Sequence, residues 1–536
     1  MVEDHPAPMQ AARLVIRALD RGIVSNNGRN ENQLDGNGIM MLKSKLANGL
    51  IWAGLGVYVS RAVSLIKLII LARLLNPSDF GVLGIVLSVI AAFNLFANFG
   101  LKPTLVQYKK NINQALTTGF WLNLFISCFI SALCFSLAFP VSKLINAPLS
   151  VTPLKVLAWM MVIDGMGIVP AAILERRMAY KLRSNCDILM ALTGFVVAVG
   201  LARIGLGVWS LVWSQIASSI VLTGSLYLAS GWLPNGLPNR AVARDLAAYG
   251  RFIVGDSLVS FINQNIDTLS LSRLRTVVDV GIYSAAFRLS SLSVEVVGIL
   301  NHVTFPAFSN FHAGDEQLNH LLFRVNRYTA MIASAIAFYS FIFGPSLIPI
   351  VLGEGWTDAI VPFQLLTVLG FFRSINRNFG SALTATGAAR LTMQSTLTSS
   401  ALLVVSMPIS VYFFGANGAA LALAVFSIFS FLVVLHYLQK GLGIVPGKFV
   451  FGTMTLPVLT ALFAGGVSAL VLLLPFSNLI RLIVGTLSFG TILVMTWSLF
   501  LSEDVRVGRD LLYEACFSRT YENRNAKDLP GSSTGT

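Results

Sequence analysis

Residues 71–83 read Leu-Ala-Arg-Leu-Leu-Asn-Pro-Ser-Asp-Phe-Gly-Val-Leu, and residues 271–283 read Leu-Ser-Arg-Leu-Arg-Thr-Val-Val-Asp-Val-Gly-Ile-Tyr. The two stretches, which we call the repeated motif, share Leu, Arg, Leu, Asp and Gly at the same spacing. Each copy follows one long apolar stretch and precedes another. Internal duplication in a membrane chain is typical of transporters, because two similar halves can move about a site between them. The motif therefore bears on function as well as on fold.

The composition indicates a membrane protein. Hydrophobic residues make up 55% of the chain and charged residues only 12%, whereas a soluble domain carries roughly 25% charged residues. Apolar runs of about 20 residues, enough to cross a bilayer as a helix, recur along the sequence. We predict an all-α polytopic membrane protein with about 14 transmembrane helices, at 47–71, 80–100, 116–139, 156–174, 186–202, 207–230, 252–271, 281–305, 329–352, 359–380, 391–414, 417–438, 449–474 and 482–502.

The duplication divides these spans into two pseudo-symmetric lobes of six helices, followed by two helices without a counterpart. A weaker second match, Gly205-Leu-Gly-Val-Trp-Ser-Leu211 with Gly415-Ala-Asn-Gly-Ala-Ala-Leu421, supports this division. Because six is even, the lobes enter the membrane in the same orientation and form a parallel repeat. The predicted units are an N-terminal arm (1–46), an N-lobe (47–230), an inter-lobe linker (231–250), a C-lobe (251–440), two further helices (441–502) and a tail (503–536).

The positive charge is explained by topology. Of the 38 Lys and Arg residues, 26 lie in segments on the side of the N-terminus, 7 lie on the other side and 5 lie within spans. The positive-inside rule places both termini in the cytoplasm, so nucleic acid is not needed as a partner. No secretory signal precedes the first span, and translation from Met40 or Met41 is as plausible as from Met1.

Five basic side chains fall inside the predicted spans, where each costs about 2.5–3.5 kcal/mol and normally faces the protein interior or a wet cavity. They are Arg61, Lys67, Arg288, Arg373 and Arg377. Intramembrane acids are fewer; they are Asp164, Asp256, Asp267 and Glu295. Pairing of these bases with these acids would be a purely structural explanation, and the near balance in number allows it.

Two observations favour an anionic ligand instead. Arg373 and Arg377 are i,i+4 neighbours, and like charges at that spacing destabilise a helix unless an anion lies between them. The repeat is also asymmetric, because Lys67 of the first copy aligns with Asp267 of the second. The five basic residues are therefore predicted to bind phosphate oxygens in a central cavity, the arginines bidentately and Lys67 as a point charge.

Besides pairing with the bases, the intramembrane acids have a second interpretation. In span 7, Asp256 and Asp267 share one polar face, and in span 8 Glu295 shares a face with Arg288. We regard Asp256, Asp267 and Glu295 as candidates for coupling transport to a proton or cation.

Arg73 and Arg273 lie where a span leaves the bilayer, so we interpret them as residues that snorkel and cap helix ends.

The sequence argues against an enzyme. Gly447-Lys448 resembles the end of a phosphate-binding loop, but Leu442 and Phe449 break that pattern. No predicted extracytoplasmic loop is long enough to hold a glycosyltransfer site. The four cysteines have no metal-binding spacing, so neither a metal nor a cofactor is expected.

The repeated motif and several later segments resemble a known family. Residues 71–81, followed by Phe99-Gly-Leu-Lys-Pro-Thr-Leu-Val-Gln107, look like the N-terminal hallmark of the polysaccharide transporter (Wzx-like) flippases. These flippases belong to the multidrug/oligosaccharidyl-lipid/polysaccharide superfamily. Further matching segments are Phe305-Pro-Ala-Phe308, Gly353-Glu-Gly-Trp356 and Pro362-Phe-Gln-Leu-Leu366. The resemblance covers about residues 42–500, nearly the whole chain.

The resemblance implies a flippase of the bacterial inner membrane. Such a protein moves undecaprenyl-pyrophosphate-linked oligosaccharide repeat units between leaflets by alternating access, for exopolysaccharide, capsule or O-antigen assembly. Its expected partners are membrane lipid, the lipid-linked substrate, a polysaccharide polymerase and a chain-length regulator. The alternatives are a multidrug/cation antiporter of the same superfamily and, less favoured, a membrane polysaccharide polymerase.

Overall fold

The computed structural model describes residues 36–98, 100–108, 111–308 and 315–502. Within these ranges it does not describe the side chains of 36–53, 55, 98, 247–257, 299–307 and 389. All regular structure in the described residues is helical, as the sequence predicts. The predicted arm and tail lie almost entirely outside the described residues.

The N-lobe is built from seven helices. They are α1 (Gly36–Leu74), α2 (Pro77–Asn98), α3 (Leu101–Gln107), α4 (Ile112–Leu144), α5 (Val151–Arg176), α6 (Tyr180–Arg203) and α7 (Val208–Ser230). The short α3 is held by Arg176 of α5, whose guanidinium donates to the carbonyl oxygens of Leu105 at 2.7 Å and Tyr108 at 2.7 Å. A cation placed on the last carbonyls of a helix stabilises that end.

The C-lobe repeats this order, with a single long helix in the place of α6 and α7. Its helices are α8 (Arg240–Leu274), α9 (Val277–Phe308), α10 (Glu316–Val351), α11 (Ile360–Ala385) and the long α12 (Ala389–Leu442). The chain then continues through α13 (Pro446–Val450), a π-helical turn (Phe451–Thr455), α14 (Leu456–Ser468) and α15 (Asn478–Phe500). Helices α14 and α15 pack on α10, where Tyr339 and Thr486 share a hydrogen bond of 2.6 Å.

A glycine in an unusual conformation breaks the same point in each lobe. Gly415 divides α12 with φ 59° and ψ −132°, and Gly207 precedes α7 with φ 53° and ψ −130°. A Cβ atom would lie 3.4 Å from Asp79 Oδ1 at Gly207 and 3.7 Å from Asp279 Oδ1 at Gly415. Gly207 is therefore the counterpart of Gly415, and the predicted match that began at Gly205 was out of register by two residues.

The Asp of each motif copy closes the turn before the next helix. Asp79 accepts the backbone N–H of Asn76 at 3.2 Å, and Asp279 accepts that of Thr276 at 3.1 Å. Each Asp stands at the third position of its helix, and its bond back to the N–H of the N-cap residue is one half of a capping box. The shared Asp is thus a structural residue in both copies.

The two copies of the motif meet where the lobes join. A Cβ atom on Gly81 would lie 1.9 Å from the carbonyl oxygen of Val277, and one on Gly281 would lie 1.8 Å from that of Pro77. These glycines let α2 and α9 cross in contact. The largest cluster of buried apolar side chains extends across this crossing from one lobe into the other. We call this end of the molecule the motif end.

Polar contacts reinforce the motif end reciprocally. Asn146 of the N-lobe donates to the carbonyl oxygen of Arg273 at 3.1 Å, and Trp356 of the C-lobe donates to that of Ala72 at 2.8 Å. Arg73 reaches from α1 to the carbonyl oxygen of Ile350 at 2.5 Å, in the last turn of α10. Arg73 therefore caps a helix C-terminus, but the capped helix belongs to the other lobe and is not the span that ends at Arg73.

The inter-lobe connection is fastened to the N-lobe. Thr117 donates to the carbonyl oxygen of Asn235 at 3.1 Å, and Trp121 donates to that of Gly236 at 3.2 Å. Helix α8 begins at Arg240, inside the predicted linker, and its buried Leu246 packs into an N-lobe cluster. The first turns of α8 therefore lie on the N-lobe, although its C-terminal half belongs to the C-lobe.

Eleven helices of the described chain are long and apolar enough to cross a membrane. Arg390–Leu442 counts as one of them despite the break at Gly415. Two further spans are predicted in α1 and α8, whose side chains lie partly outside the described residues. The count of fourteen spans stays a prediction.

Candidate functional site

Three helices bring the predicted basic residues together. Arg61 and Lys67 lie on α1, Arg288 lies on α9, and Arg373 and Arg377 lie on α11. With a rise of about 1.5 Å per residue, Lys67 is about 10 Å from the motif end of its helix, Arg288 about 17 Å, and Arg377 about 26 Å. The basic residues thus form a ladder that begins near the middle of a bilayer core of roughly 30 Å and extends towards the side away from the motif end. We call the space between α1, α9 and α11 the basic cleft.

Some cations of the cleft lie close enough to repel one another, both between two helices and within one helix. Lys67 of the N-lobe lies within electrostatic range of Arg288 of the C-lobe, and Arg373 lies within range of Arg377. Arg377 packs against α9, where its Nη1 would lie 3.3 Å from a Cβ atom on Gly298. Arrangements of like charge are unfavourable without an anion between them.

The cleft is open to water although it lies deep in the protein. Arg61, Arg288, Arg373 and Arg377 all have exposed side chains. Protein nevertheless surrounds Arg288, and the opposite face of α11 is buried, with Ile375 and Phe379 fully inaccessible. Side chains that are accessible to solvent yet surrounded by protein are typical of the lining of an internal cavity.

One acid enters the cleft and pairs with one of the bases. Glu295 of α9 accepts a hydrogen bond from the Arg61 guanidinium of α1, which joins the C-lobe to the N-lobe. Neither Arg288, Arg373 nor Arg377 forms an ion pair with any residue that the structure describes. Charge pairing therefore accounts for Arg61 and leaves the other arginines for a different explanation.

The second candidate coupling acid lies outside the cleft lining. Asp267 is buried, with 4% of its surface exposed. Its carboxylate accepts the Tyr283 hydroxyl at 2.5 Å and the backbone N–H of Thr268 at 2.6 Å. Arg373 lies within electrostatic range of this pair. The side chain of Asp256 lies outside the described residues, and Asp164 accepts a hydrogen bond from Ser219 within the N-lobe.

Sequence reasoning missed three residues of this region. Tyr58 of α1 lies within electrostatic range of both Arg61 and Arg377, so it lines the same part of the cleft. Tyr283 donates its hydroxyl hydrogen bond to Asp267. Trp356 packs against Phe80 at the motif end, with ring centroids 5.3 Å apart. Tyr283 had a signal, because Leu83 stands at the equivalent place in the first copy of the motif.

No group of three or more metal-ligating side chains occurs in the part of the chain that the structure describes. Free thiols there are Cys128, Cys134 and Cys186. The chemistry of the cleft is that of guanidinium and ammonium groups, which bind anions.

Comparison with known families and proteins agrees with this architecture. Residues 70–361 match the family described as polysaccharide biosynthesis protein. The chain belongs to this family. Lipopolysaccharide biosynthesis protein WzxC of Escherichia coli is 24% identical over 71% of this chain and 78% of that protein. Succinoglycan biosynthesis transport protein ExoT of Rhizobium meliloti is 26% identical over 56% of this chain and 61% of that protein.

The fold of this polysaccharide biosynthesis protein also occurs in solved transporters. The lipid II flippase MurJ in an inward closed conformation superimposes with a TM-score of 0.70, at 13% identity, over 85% of this chain and all of that chain. An inward-facing multidrug transporter of the MATE family superimposes with a TM-score of 0.57, at 16% identity, over 73% of this chain and 95% of that chain. The predicted polytopic all-α fold is confirmed.

Proposed function

We propose that this chain is a flippase that moves an undecaprenyl-pyrophosphate-linked oligosaccharide across the bacterial inner membrane. The observation that carries the proposal is the basic cleft between the lobes, in which three arginines form no ion pair with a carboxylate of the described residues. Intramembrane cations are costly, so an unpaired set at mid-depth is most simply explained by an anionic ligand. Transporters of this architecture bind substrate near the midplane between their repeats.

The distribution of basic residues supports an orientation. Lys and Arg are concentrated on the side that holds both termini, which puts that side in the cytoplasm and the motif end towards the periplasm. Because the motif end is closed by the contacts of both motif copies, the cleft opens towards the cytoplasm. Alternating access then requires the contacts at the motif end to separate after the headgroup has bound.

The membrane potential favours outward movement of an anionic headgroup. A potential that is negative inside contributes about 2.3 kcal/mol per charge per 100 mV for passage through the whole field. Transport therefore does not need ATP. Glu295 and Asp267 remain candidates for ion coupling. Glu295 would exchange ions within the cleft, whereas Asp267 would act from its buried position.

The comparisons support this proposal through the names of the relatives. Two are proteins of lipopolysaccharide and succinoglycan biosynthesis, and another is the probable low-salt glycan biosynthesis flippase Agl15 of Haloferax volcanii. A multidrug antiporter shares the fold, but a cationic drug suits an acidic site, whereas here the cleft is basic. A polymerase would need a long catalytic loop on the periplasmic side. In the cell, the polymerase and the chain-length regulator are the expected partners.

Deletion of the gene tests the proposal. The mutant should accumulate undecaprenyl-linked repeat units inside the cell and lose the surface polysaccharide, and the intact gene should restore both. Extracted lipid intermediates and surface polysaccharide are the two measurements. A deletion strain with normal polysaccharide and no accumulated intermediate, in a genome without a second copy of the gene, contradicts the proposal.

A further inference from the structure

The ion pair between Arg61 and Glu295 crosses between the lobes far from the motif end. Arg61 is about 20 Å along α1 from the motif end, and Glu295 is about 27 Å along α9. The contacts of Ala72 and Arg273 lie at the motif end itself. The pair therefore joins the lobes on the side by which a headgroup enters the cleft while the motif end is closed.

The pair is accessible to water and to a competing anion. The side chain of Arg61 is 52% exposed and that of Glu295 is 23% exposed. Ion pairs with this exposure contribute little net stability, because water screens them and two long side chains must be held in place. Asp267 is different, since it is buried and bonded to Tyr283 within one lobe. Of these two carboxylates, Glu295 is the one that an incoming ligand can displace.

Other cations lie beside the pair without an anion of their own. Arg377 and Arg61 both lie within electrostatic range of Tyr58, which places them in the same part of the cleft. Arg373 is one helical turn further along α11. A monophosphate that binds Arg61 must compete with the carboxylate of Glu295. Because this carboxylate is attached to the protein, its effective concentration beside Arg61 is high. A diphosphate has a second phosphoryl group that can engage another guanidinium, such as that of Arg377, and this is an advantage that a monophosphate lacks.

We propose that Glu295 is a substrate-displaced latch: it holds Arg61 until a diphosphate takes its place, and its release frees α1 from α9 at the cytoplasmic opening. This rests on the proposed function, because the displacing group is the diphosphate of the lipid-linked substrate. Glu295 is a positioning residue in this scheme. It sets the diphosphate over monophosphate preference and couples binding to the movement of the lobes.

Spin-label distances in the full chain test the latch. Nitroxide labels are placed by Val59→Cys on α1 and Val296→Cys on α9, both about half exposed, after the native cysteines have been replaced. Inorganic pyrophosphate should shift the distance distribution to longer values in nanodiscs, and inorganic phosphate at the same concentration should not. Glu295→Gln should shift the distribution part of the way to longer distances without ligand and should respond less to pyrophosphate than the wild type does.

Binding and charge reversal complete the experiment. Glu295→Gln should bind pyrophosphate about two- to fivefold more tightly, because a weak exposed competitor is removed. The double change Arg61→Glu with Glu295→Arg should restore the short distance without ligand, and Glu316→Gln, an exposed acid elsewhere in the C-lobe, should behave as wild type.

The two failures are distinguishable. A wild-type protein that binds pyrophosphate while Glu295→Gln leaves both the distance and the affinity unchanged overturns the latch and leaves the flippase proposal intact. A wild-type protein that does not bind pyrophosphate contradicts the basic cleft as a headgroup site, and with it the latch.

Discussion

At the scale of single residues, the two lobes differ in a coupled way. Where the N-lobe has Lys67 and Leu83, the C-lobe has Asp267 and Tyr283, and the structure joins the latter two by a hydrogen bond of 2.5 Å. The acid thus has a donor within its own lobe, whereas Lys67 has only another cation, Arg288, as its described charged neighbour. The divergence leaves the N-lobe side of the cleft free to hold an anion.

Removing the Tyr283 hydroxyl should destabilise the protein. Tyr283→Phe leaves a buried carboxylate oxygen without its donor, which costs about 1–3 kcal/mol. Combined with Asp267→Asn, the loss should be smaller than the sum of the single losses, because both changes break one interaction. Thermal unfolding in detergent measures this, with Tyr412→Phe, which changes a 65% exposed ring, as the control. Additive losses would show that Asp267 and Tyr283 act independently.

Loss of two cleft arginines should abolish export. Arg373→Ala combined with Arg377→Ala removes bidentate anion binding from α11 but breaks no ion pair among the described residues, so membrane insertion should be normal. The matched control removes two exposed arginines outside the cleft, Arg203→Ala with Arg390→Ala. Surface polysaccharide is measured together with the amount of protein in the membrane. Full export by a well-inserted Arg373/Arg377 double mutant would return both residues to a structural role.

At the scale of helices, the duplicated motif is a joint between the lobes. Its Asp caps the following helix, its Gly permits the crossing of α2 and α9, and its Arg in the N-lobe reaches the end of α10. Reciprocal contacts between two similar units are the expected consequence of a pseudo-twofold repeat. A joint of this kind can open and close as the lobes rock.

A methyl group at the helix crossing should disrupt the joint. In Gly281→Ala the new Cβ atom would lie 1.8 Å from the carbonyl oxygen of Pro77, so the helices must separate. Overpacking of this kind typically costs about 1–3 kcal/mol. Gly200→Ala is the matched control, because nothing lies within 4 Å of a Cβ atom there. The prediction is a lower melting temperature for Gly281→Ala and not for the control, and equal melting temperatures would refute the close crossing.

Trp356 provides a graded test of the same joint. Trp356→Phe removes the N–H donated to Ala72 but keeps an aromatic ring near Phe80, so it should cost about 1 kcal/mol. Trp356→Ala also removes the ring, which is 2% exposed, and should cost about 3–5 kcal/mol. Unfolding midpoints in detergent should fall in the order wild type, Phe, Ala. Identical midpoints for the two variants would mean that the ring contributes nothing.

At the scale of the whole molecule, much of the fold was predictable from the sequence and less of the site was. Apolar runs and the repeated motif predict helices and two lobes, because bilayer thickness and backbone hydrogen bonding leave few alternatives. The shift from Gly205 to Gly207 was not predictable, since two nearby glycines are both compatible with a turn and only the contact with Asp79 distinguishes them.

The basic cleft was likewise predictable from the sequence only in part. Helical spacing correctly groups Arg373 with Arg377 on one face, because that grouping depends on one helix alone. The pairing of Arg61 with Glu295 depends on which faces of α1 and α9 meet, 234 residues apart, and no local pattern contains that information. The same holds for Tyr58, whose position beside Arg61 and Arg377 follows from packing between lobes.

Direct observation of lipid movement is the most decisive test of the account. Purified protein is reconstituted into liposomes that contain an undecaprenyl-pyrophosphate-linked oligosaccharide with a fluorescent sugar, and an external quencher reports the fraction in the outer leaflet. Wild-type protein should make the inner-leaflet fraction accessible much faster than protein-free liposomes do, and the Arg373→Ala, Arg377→Ala double mutant should not. Wild-type liposomes that are no faster than protein-free ones, or a double mutant as fast as wild type, would contradict transport of the headgroup through the basic cleft.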